Sequence, residues 1–173
     1  MKKDGLIHVY TGEGKGKTTA AVGLATRAAG AGKKVVFSQF MKGRDTAELK
    51  SLRALGVDVV RQTAPKKFVF QMNDGEKADY SVCQKECFAD VCQKAGGCDV
   101  LIMDEVVSAI TTGMLAEKDV MAFLQQKPEG LEVVLTGRDA PKALRDIADY
   151  VTVMQAEKHP YEKGISAREG IEY

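Results

Sequence analysis

Short apolar runs alternate with longer helical patterns along the chain. The runs are too continuous in apolar character to leave one face of a strand in water, which is typical of strands covered on both sides. The predicted strands are Leu6–Tyr10, Lys34–Phe40, Val57–Arg61, Val100–Met103, Glu132–Leu135 and Tyr150–Met154, and the predicted helices are Lys17–Ala31, Asp45–Leu55, Ala78–Lys94, Lys118–Gln126 and Pro141–Ala148. This alternation predicts an α/β fold in which residues 1–173 form one domain, with a mostly parallel sheet and helices on both faces.

A glycine-rich loop connects the first predicted strand to the first predicted helix. Glycines let backbone N–H groups turn inward around phosphate oxygens, a lysine can bridge phosphates, and a hydroxyl can reach Mg²⁺. The loop departs from the usual motif at one place, where Thr11 stands instead of the first glycine. The alternative is a glycine-rich turn with incidental lysines. We predict a P-loop NTPase-like (RecA-like) fold that binds ATP through Gly12, Glu13, Gly14, Lys15, Gly16, Lys17 and Thr18.

Two acidic residues follow the fourth predicted strand. Asp104 and Glu105 come directly after the apolar run Val100–Met103. Because side chains alternate along a strand, the two carboxylates should point in different directions. We therefore expect one of them to address Mg²⁺, directly or through water, and the other to support the phosphate loop.

Charge and cysteine usage narrow the class of protein further. With 25 basic and 24 acidic residues the formal charge is +1, so the whole molecule offers no footprint for nucleic acid and a charged ligand needs a local site. No apolar run suits a signal peptide or a membrane span, and we expect a cytoplasmic protein. The spacing of Cys83, Cys87, Cys92 and Cys98 favours reduced thiols over an iron–sulfur site.

Several further motifs give the chain a family resemblance. Together they resemble the ATP:corrinoid adenosyltransferases of cobalamin biosynthesis and salvage, from about the first strand to the last residue. The segments that carry the resemblance are Tyr10–Ala21, Gln39–Gly43, Met103–Glu105, Thr136–Arg138, Ala148–Thr152, Lys158–Tyr161, Gly164–Ile165 and Gly170–Tyr173.

The resemblance implies a homodimeric enzyme that moves the 5′-deoxyadenosyl group of ATP onto the cobalt(I) of a corrinoid and leaves triphosphate. Cobalt(I) is then the nucleophile, so no side chain needs to act as nucleophile or general base, and the protein contributes positioning and charge neutralisation. The implied partners are ATP, a corrinoid such as cobalamin or cobyrinic acid a,c-diamide, and an electron donor such as a reduced flavoprotein. The implied metal is Mg²⁺, with Mn²⁺ as a substitute.

The resemblance also implies roles for individual residues. Lys17 matches the phosphate ligand that stabilises the leaving group, Thr18 and Glu105 match the metal ligands, and Arg27 matches an arginine of the nucleotide region. Similar enzymes often carry asparagine where this chain has Glu13. They also frequently carry a longer N-terminal arm over the partner's site, so we expect that closure here depends more on the loop Gln62–Lys77 or that the corrinoid is bound more openly.

An aromatic pair in that loop, Phe68 and Phe70, matches an element that packs against the corrinoid and helps to exclude its lower axial ligand. The alternative is that both rings are core residues on one face of a short strand. Arg138 follows the fifth strand and is predicted to contact corrinoid or nucleotide, unless it lies in a solvated turn.

The two histidines have different expected roles. His8 is expected to be structural, whereas His159 in the terminal Lys-His-Pro-Tyr segment is either a surface residue or part of the site.

Two other functions compete with the adenosyltransferase. They are an ATPase or kinase that transfers the γ-phosphoryl group, and a non-catalytic nucleotide-binding regulator or corrinoid carrier.

Overall fold

The computed structural model describes residues 5–62, 65 and 67–173. Its strands are β1 Ile7–Thr11, β2 Val35–Gln39, β3 Asp58–Val60, β4 Val100–Asp104, β5 Glu132–Thr136 and β6 Tyr150–Val153. Its α-helices are α1 Lys17–Gly30, α2 Glu48–Ala54, α3 Asp74–Lys94, α4 Val106–Thr111, α5 Glu117–Gln125 and α6 Lys142–Ile147. Short 3₁₀ turns cover Val69–Gln71, Ala95–Gly97 and Pro160–Lys163.

One six-stranded sheet in the order β3-β2-β4-β5-β1-β6 organises the molecule. All five strand pairings are parallel. The carboxyl ends of all six strands therefore meet at one edge, which is where an open α/β sheet binds its ligands. The α/β fold with a parallel sheet is confirmed.

Helices cover both faces of the sheet, as predicted. On β4, Val100 and Ile102 face a core built with the alanines of α1 and the leucines of α2. Leu101 and Met103, one position along, face the opposite core, which holds the buried residues of α3, α4, α5 and α6. This alternation explains the continuous apolar runs, because each side of a central strand meets its own layer of helices.

Two helices differ from the expectation. The short helix α4 was not predicted, since its Val-Val-Ser-Ala-Ile-Thr sequence is rich in β-branched residues with low helix propensity. Burial of Val106, Val107, Ala109 and Ile110 stabilises it instead. Helix α3 begins four residues earlier than predicted, at Asp74, because Asn73 and Glu76 form a reciprocal capping box that the apolar pattern does not reveal.

No helix in the described part of the chain is long and apolar enough to cross a membrane.

Candidate active site

The phosphate loop lies at the carboxyl edge of the sheet, between β1 and α1. Gly12 has a φ of 99°, and a Cβ there would come within 2.4 Å of the Met154 carbonyl oxygen. Gly16 has a φ of 121° and precedes the first turn of α1. Because side chains other than hydrogen are strained at such angles, both glycines are required by the path of the loop. The loop is also tied to the end of β6, since Gly14 N donates to Met154 O over 2.7 Å.

Thr11 occupies the position where the usual motif has glycine. It is the last residue of β1, is buried, and has no positive φ. Its hydroxyl oxygen accepts a hydrogen bond from the backbone N–H of Ala140 over 3.1 Å. Threonine at this position therefore leaves the loop intact, and its hydroxyl links the loop to the segment that follows β5.

Lys17 is the buried cation of the loop. Its ammonium group donates to Gly12 O over 2.6 Å and to Gly14 O over 2.8 Å, so the side chain folds back across the loop. Burial lowers the pKa of Lys17 below its ordinary value, Glu105 opposes this shift, and Arg138 adds to it. A phosphate that replaces the two carbonyl acceptors would bring a full negative charge to a desolvated cation, which is the stronger kind of hydrogen bond.

Asp104 is the acidic centre of the site and is fully buried at the end of β4. Its Oδ1 accepts from the hydroxyl of Thr18 over 2.9 Å and from the hydroxyl of Thr136 over 2.7 Å. Its Oδ2 accepts from the ammonium group of Lys42 over 2.7 Å. The ends of β4 and β5, the segment after β2 and the first turn of α1 are joined through this one carboxylate, which anchors the helical end of the loop.

Glu105 lies one residue beyond β4, and its carboxylate has a partner different from those of Asp104. Its backbone is left-handed, with a φ of 62°, and its N–H donates to the hydroxyl of Thr136 over 2.9 Å. The carboxylate accepts a 2.5 Å hydrogen bond from Ser108 and lies on the wall of the cavity at the phosphate loop. The structure thus places Asp104 against Thr18 and leaves Glu105 facing the cavity. Metal binding by Thr18 and Glu105 stays a prediction.

A polar cavity of about 290 Å³ opens beside the loop. Arg138 and Glu13 form a 3.0 Å ion pair across its mouth, and both side chains are exposed. This pairing offsets the negative charge of Glu13 beside the loop. Arg138 lines this cavity, and its predicted contact with corrinoid or nucleotide stays a prediction. We call this space the phosphate cavity; its lining is Glu13, Gly14, Lys15, Gly16, Lys17, Thr18, Thr19, Glu105, Arg138, His159, Ile171 and Glu172.

A second, more apolar cavity of about 570 Å³ lies next to it. Phe68 and Phe70 are 68% and 81% exposed, and their rings stack with centroids 5.5 Å apart. The alternative that both rings are core residues of a strand is wrong, because the segment forms a 3₁₀ turn and the rings face solvent. We call this space the aromatic cavity; its lining is Met41, Lys42, Lys67, Phe68, Val69, Phe70, Lys77, Tyr80, Glu105 and Thr112.

Lys42 is the main residue of the site that the sequence did not single out. Burial by itself lowers the pKa of its ammonium group, but Asp104, Glu48 and Glu105 together raise that pKa above its ordinary value. The only available signal was its place in the Gln39–Gly43 segment, since a lysine three residues past a strand is otherwise ordinary. The partners Thr136 and Ser108 were missed for the same reason.

Other predicted residues lie outside the cavities. Arg27 is exposed in the last turn of α1, ten residues from Lys17 and so about 15 Å away along the helix. Its role in ATP binding stays a prediction. His8 is structural, as expected: its Nε2 pairs with Glu132 and its ring stacks on Tyr150.

His159 lines the phosphate cavity, and its Nδ1 accepts from the N–H of Tyr161 over 3.2 Å. The four cysteines are free thiols. Among residues 5–62, 65 and 67–173, no three side chains of His, Cys, Asp or Glu converge on a metal position.

Taken together, the parallel sheet, the loop between β1 and α1 and the acidic strand end define the class: an α/β protein of the P-loop-like kind. Within this class the chain belongs to the ATP:corrinoid adenosyltransferase family, because the family model described as "ATP:corrinoid adenosyltransferase BtuR/CobO/CobP" matches residues 3–173. The family predicted from the motifs is confirmed.

Similar proteins of known name agree with this assignment. The corrinoid adenosyltransferase of Escherichia coli K12 is 34% identical over 176 residues, which cover 98% of this chain and 86% of that protein. The corrinoid adenosyltransferase CobA of Salmonella typhimurium is 34% identical over 180 residues, covering 100% and 88%. The corrinoid adenosyltransferase of Pseudomonas aeruginosa is 33% identical over 173 residues, covering 98% and 84%.

Proposed function

We propose that this chain transfers the 5′-deoxyadenosyl group of ATP to the cobalt(I) of a corrinoid, with the triphosphate in the phosphate cavity and the corrinoid in the aromatic cavity. The observation that carries the proposal is that the two cavities share a wall. Glu105 lines both of them, and Lys42 lines the aromatic cavity while contacting Asp104, the carboxylate that holds Thr18. A nucleotide on the loop and a flat macrocycle against Phe68 and Phe70 would therefore be neighbours.

The reaction is a displacement at carbon. The cobalt(I) electron pair attacks C5′, the bond between C5′ and its oxygen breaks, and that bonding pair leaves with the triphosphate. No proton has to move, so the reaction needs no general base. The chain's own contribution is to hold C5′ toward the aromatic cavity and to stabilise the charge on the leaving triphosphate, chiefly through the ammonium group of Lys17.

The oxygen groups at the loop suit a hard divalent cation. The hydroxyl of Thr18 and the carboxylates of Asp104 and Glu105 are ligands that Mg²⁺ prefers, and Mn²⁺ accepts the same set. Because the described side chains build no complete metal cage, the remaining ligands would be phosphate oxygens and water. When bound, the cation neutralises negative charge on the phosphates. Thr18 and Glu105 would hold it, with Asp104 orienting Thr18.

The aromatic pair provides the corrinoid side of the proposal. Two stacked rings that face solvent bury apolar area when a flat ligand covers them, which makes them a favourable platform. A platform that leaves no room for a lower axial ligand keeps cobalt(II) four-coordinate, which makes its reduction easier. The electron itself would come from a separate donor such as a reduced flavoprotein.

Two further parts of the proposal concern the setting of the enzyme. We propose a homodimer, as the family resemblance implies, and a cytoplasmic location, where ATP is available and free thiols such as the four cysteines persist. Sedimentation of the purified chain tests the first, since a monomer at micromolar concentration would contradict it. Cell fractionation tests the second.

One incubation tests the reaction. The purified chain is mixed with ATP, Mg²⁺ and a chemically reduced corrinoid, and the products are separated by chromatography. We expect one triphosphate for each adenosylated corrinoid. ADP and phosphate formed without corrinoid would instead support a γ-phosphoryl transferase, and ATP binding without any product would support a regulator.

A further inference from the structure

Lys42 lies between the aromatic cavity and the first turn of α1. Its ammonium group lies 2.7 Å from Asp104 Oδ2 and 3.7 Å from Glu48 Oε1. The same side chain lines the aromatic cavity, and it also lines a groove beside the first turn of α1 with Thr18 and Thr19. Only 22% of its side chain is exposed, whereas the Asp104 side chain has no exposure at all. A cation is thus held where the nucleotide and the corrinoid would meet.

The hydrogen bonds of Asp104 show what this cation does. Both hydroxyl donors, from Thr18 and Thr136, go to Oδ1, and Lys42 is the donor to Oδ2. Lys42 is therefore the cation in direct contact with this buried carboxylate, whereas Lys17 interacts with it only over a longer distance. A divalent cation bound at Thr18 would lie close to the same carboxylate. The two positive charges would then repel each other across a desolvated site.

The backbone around Lys42 is fixed, but its side chain has room on one side. The guanidinium group of Arg61 donates to Lys42 O over 2.8 Å and to Arg44 O over 2.9 Å, which holds the loop after β2 in place. The lysine stem has four rotatable bonds, and the aromatic cavity lies beside it. Movement of the ammonium group away from Asp104 thus requires a side-chain rotation and no change in the fold.

We propose that Lys42 is an exchangeable counter-ion: its ammonium group neutralises Asp104 before nucleotide binds, and it turns into the aromatic cavity when ATP arrives with its divalent cation. The inference rests on the proposed binding of the metal and ATP at the loop. In its second position the ammonium group stands among the rings of the aromatic cavity, where it meets the second substrate. Lys42 is in this account a positioning residue that links occupation of one cavity to the charge of the other.

A fixed structural salt bridge would behave differently, and metal dependence separates the two cases. The measured quantity is the metal factor, defined as the Kd of ATP in EDTA divided by the Kd of ATP with Mn²⁺, from calorimetry without corrinoid. In Lys42→Met the metal no longer competes with an ammonium group, so we expect the metal factor to rise at least tenfold over the wild type. Lys42→Arg, which keeps the charge, should stay within threefold of the wild type.

Lys67 provides a matched control. It lines the same aromatic cavity, but its ammonium group pairs with Glu76 at 2.5 Å and does not touch Asp104. Lys67→Met should therefore leave the metal factor unchanged. An equal rise in Lys67→Met, or no rise in Lys42→Met, overturns the inference. If wild-type protein binds ATP no better with Mn²⁺ than without it, the proposed metal site at the loop is wrong. That result concerns the proposed function and is distinguishable from a failure of the Lys42 inference.

A measurement on the wild type avoids any folding defect of the variants. The amine of Lys42 is modified with a limiting acylating reagent, and the extent of its modification is quantified by mass spectrometry. We expect Mg²⁺ with ATP to raise the modification of Lys42 at least threefold over ATP in EDTA, because the amine has left Asp104. Unchanged or lower modification would show that the ion pair persists, and the inference would be wrong.

Discussion

The phosphate cavity and the aromatic cavity are built in opposite ways. The first is lined by the glycine-rich loop, the first turn of α1, residues just after β4 and β5 and part of the C-terminal segment, and the fully buried Asp104 and Thr136 support its loop from behind. The second takes its rings from a 3₁₀ turn between β3 and α3, and those rings are exposed. One half of the site is therefore held in place before any ligand arrives. The other half offers apolar surface that becomes buried only when a large flat ligand covers it.

The largest effect on the preformed half should come from Lys17→Ala. Loss of the ammonium group removes the charge that faces the triphosphate, so we expect ATP affinity to fall at least 100-fold in calorimetry, with an unchanged circular dichroism spectrum. Lys33→Ala is the matched control, because the Lys33 side chain is exposed beyond the opposite end of α1. Equal losses in the two variants would contradict the assignment of the phosphate contact to Lys17.

The two acidic residues should separate stability from catalysis. Asp104→Asn weakens the contact with Lys42 in a buried position, and we expect the free energy of unfolding in urea to fall by about 2–3 kcal/mol. Glu105→Gln should cost less than about 1 kcal/mol of stability while lowering the adenosylation rate at least tenfold. Equal destabilisation by both substitutions would contradict a mainly structural role for Asp104 and a mainly catalytic role for Glu105.

Replacing Phe68 and Phe70 together by alanine probes the aromatic half. Because both rings are exposed, we expect the free energy of unfolding to change by less than about 0.5 kcal/mol. Adenosylation that starts from cobalt(II) with a reductant should fall at least tenfold, and adenosylation of pre-reduced cobalt(I) should fall much less. Parallel losses on the two substrates would mean that the rings provide binding surface alone and do not influence the axial ligand.

The smallest effect should come from the ion pair between Glu13 and Arg138. Both side chains are exposed, so the pair is screened by solvent and salt. Glu13→Gln removes a negative charge near the phosphates, and we expect ATP affinity to rise two- to threefold at low ionic strength. The gain should disappear in 0.5 M salt. A gain that survives high salt would point to a contact other than charge.

Most of the fold and the phosphate-loop half of the site could be predicted from sequence patterns. Continuous apolar strands, the spacing of the loop and the acidic strand end depend on short-range chemistry that single residues reveal. The aromatic cavity was harder to predict, because two aromatic residues at i and i+2 are compatible with either a strand or a turn, and only the tertiary structure distinguishes the two. Helix α4 was missed because packing, rather than the propensity of its β-branched residues, holds it together.

The hydrogen-bond network around Asp104 could not be predicted from the sequence for another reason. Its partners Thr18, Lys42 and Thr136 come from three separate segments, and no spacing rule connects them. Arg27 was assigned to the nucleotide by the family resemblance alone; α1 places it in the last turn of the helix, and its role in ATP binding stays a prediction. Parallel pairing of β4 with β2 and β5 is what brings the network together.

The threonine at the start of the phosphate loop has a consequence for how such loops are recognised. A search pattern that insists on glycine at this position would pass over the chain, although the strand residue there never needs the freedom that glycine provides. The hydroxyl instead fastens the neighbouring loop at Ala140. Motif letters thus stand for backbone angles and contacts, and a pattern written in those quantities would find members of the family that a pattern written in letters rejects.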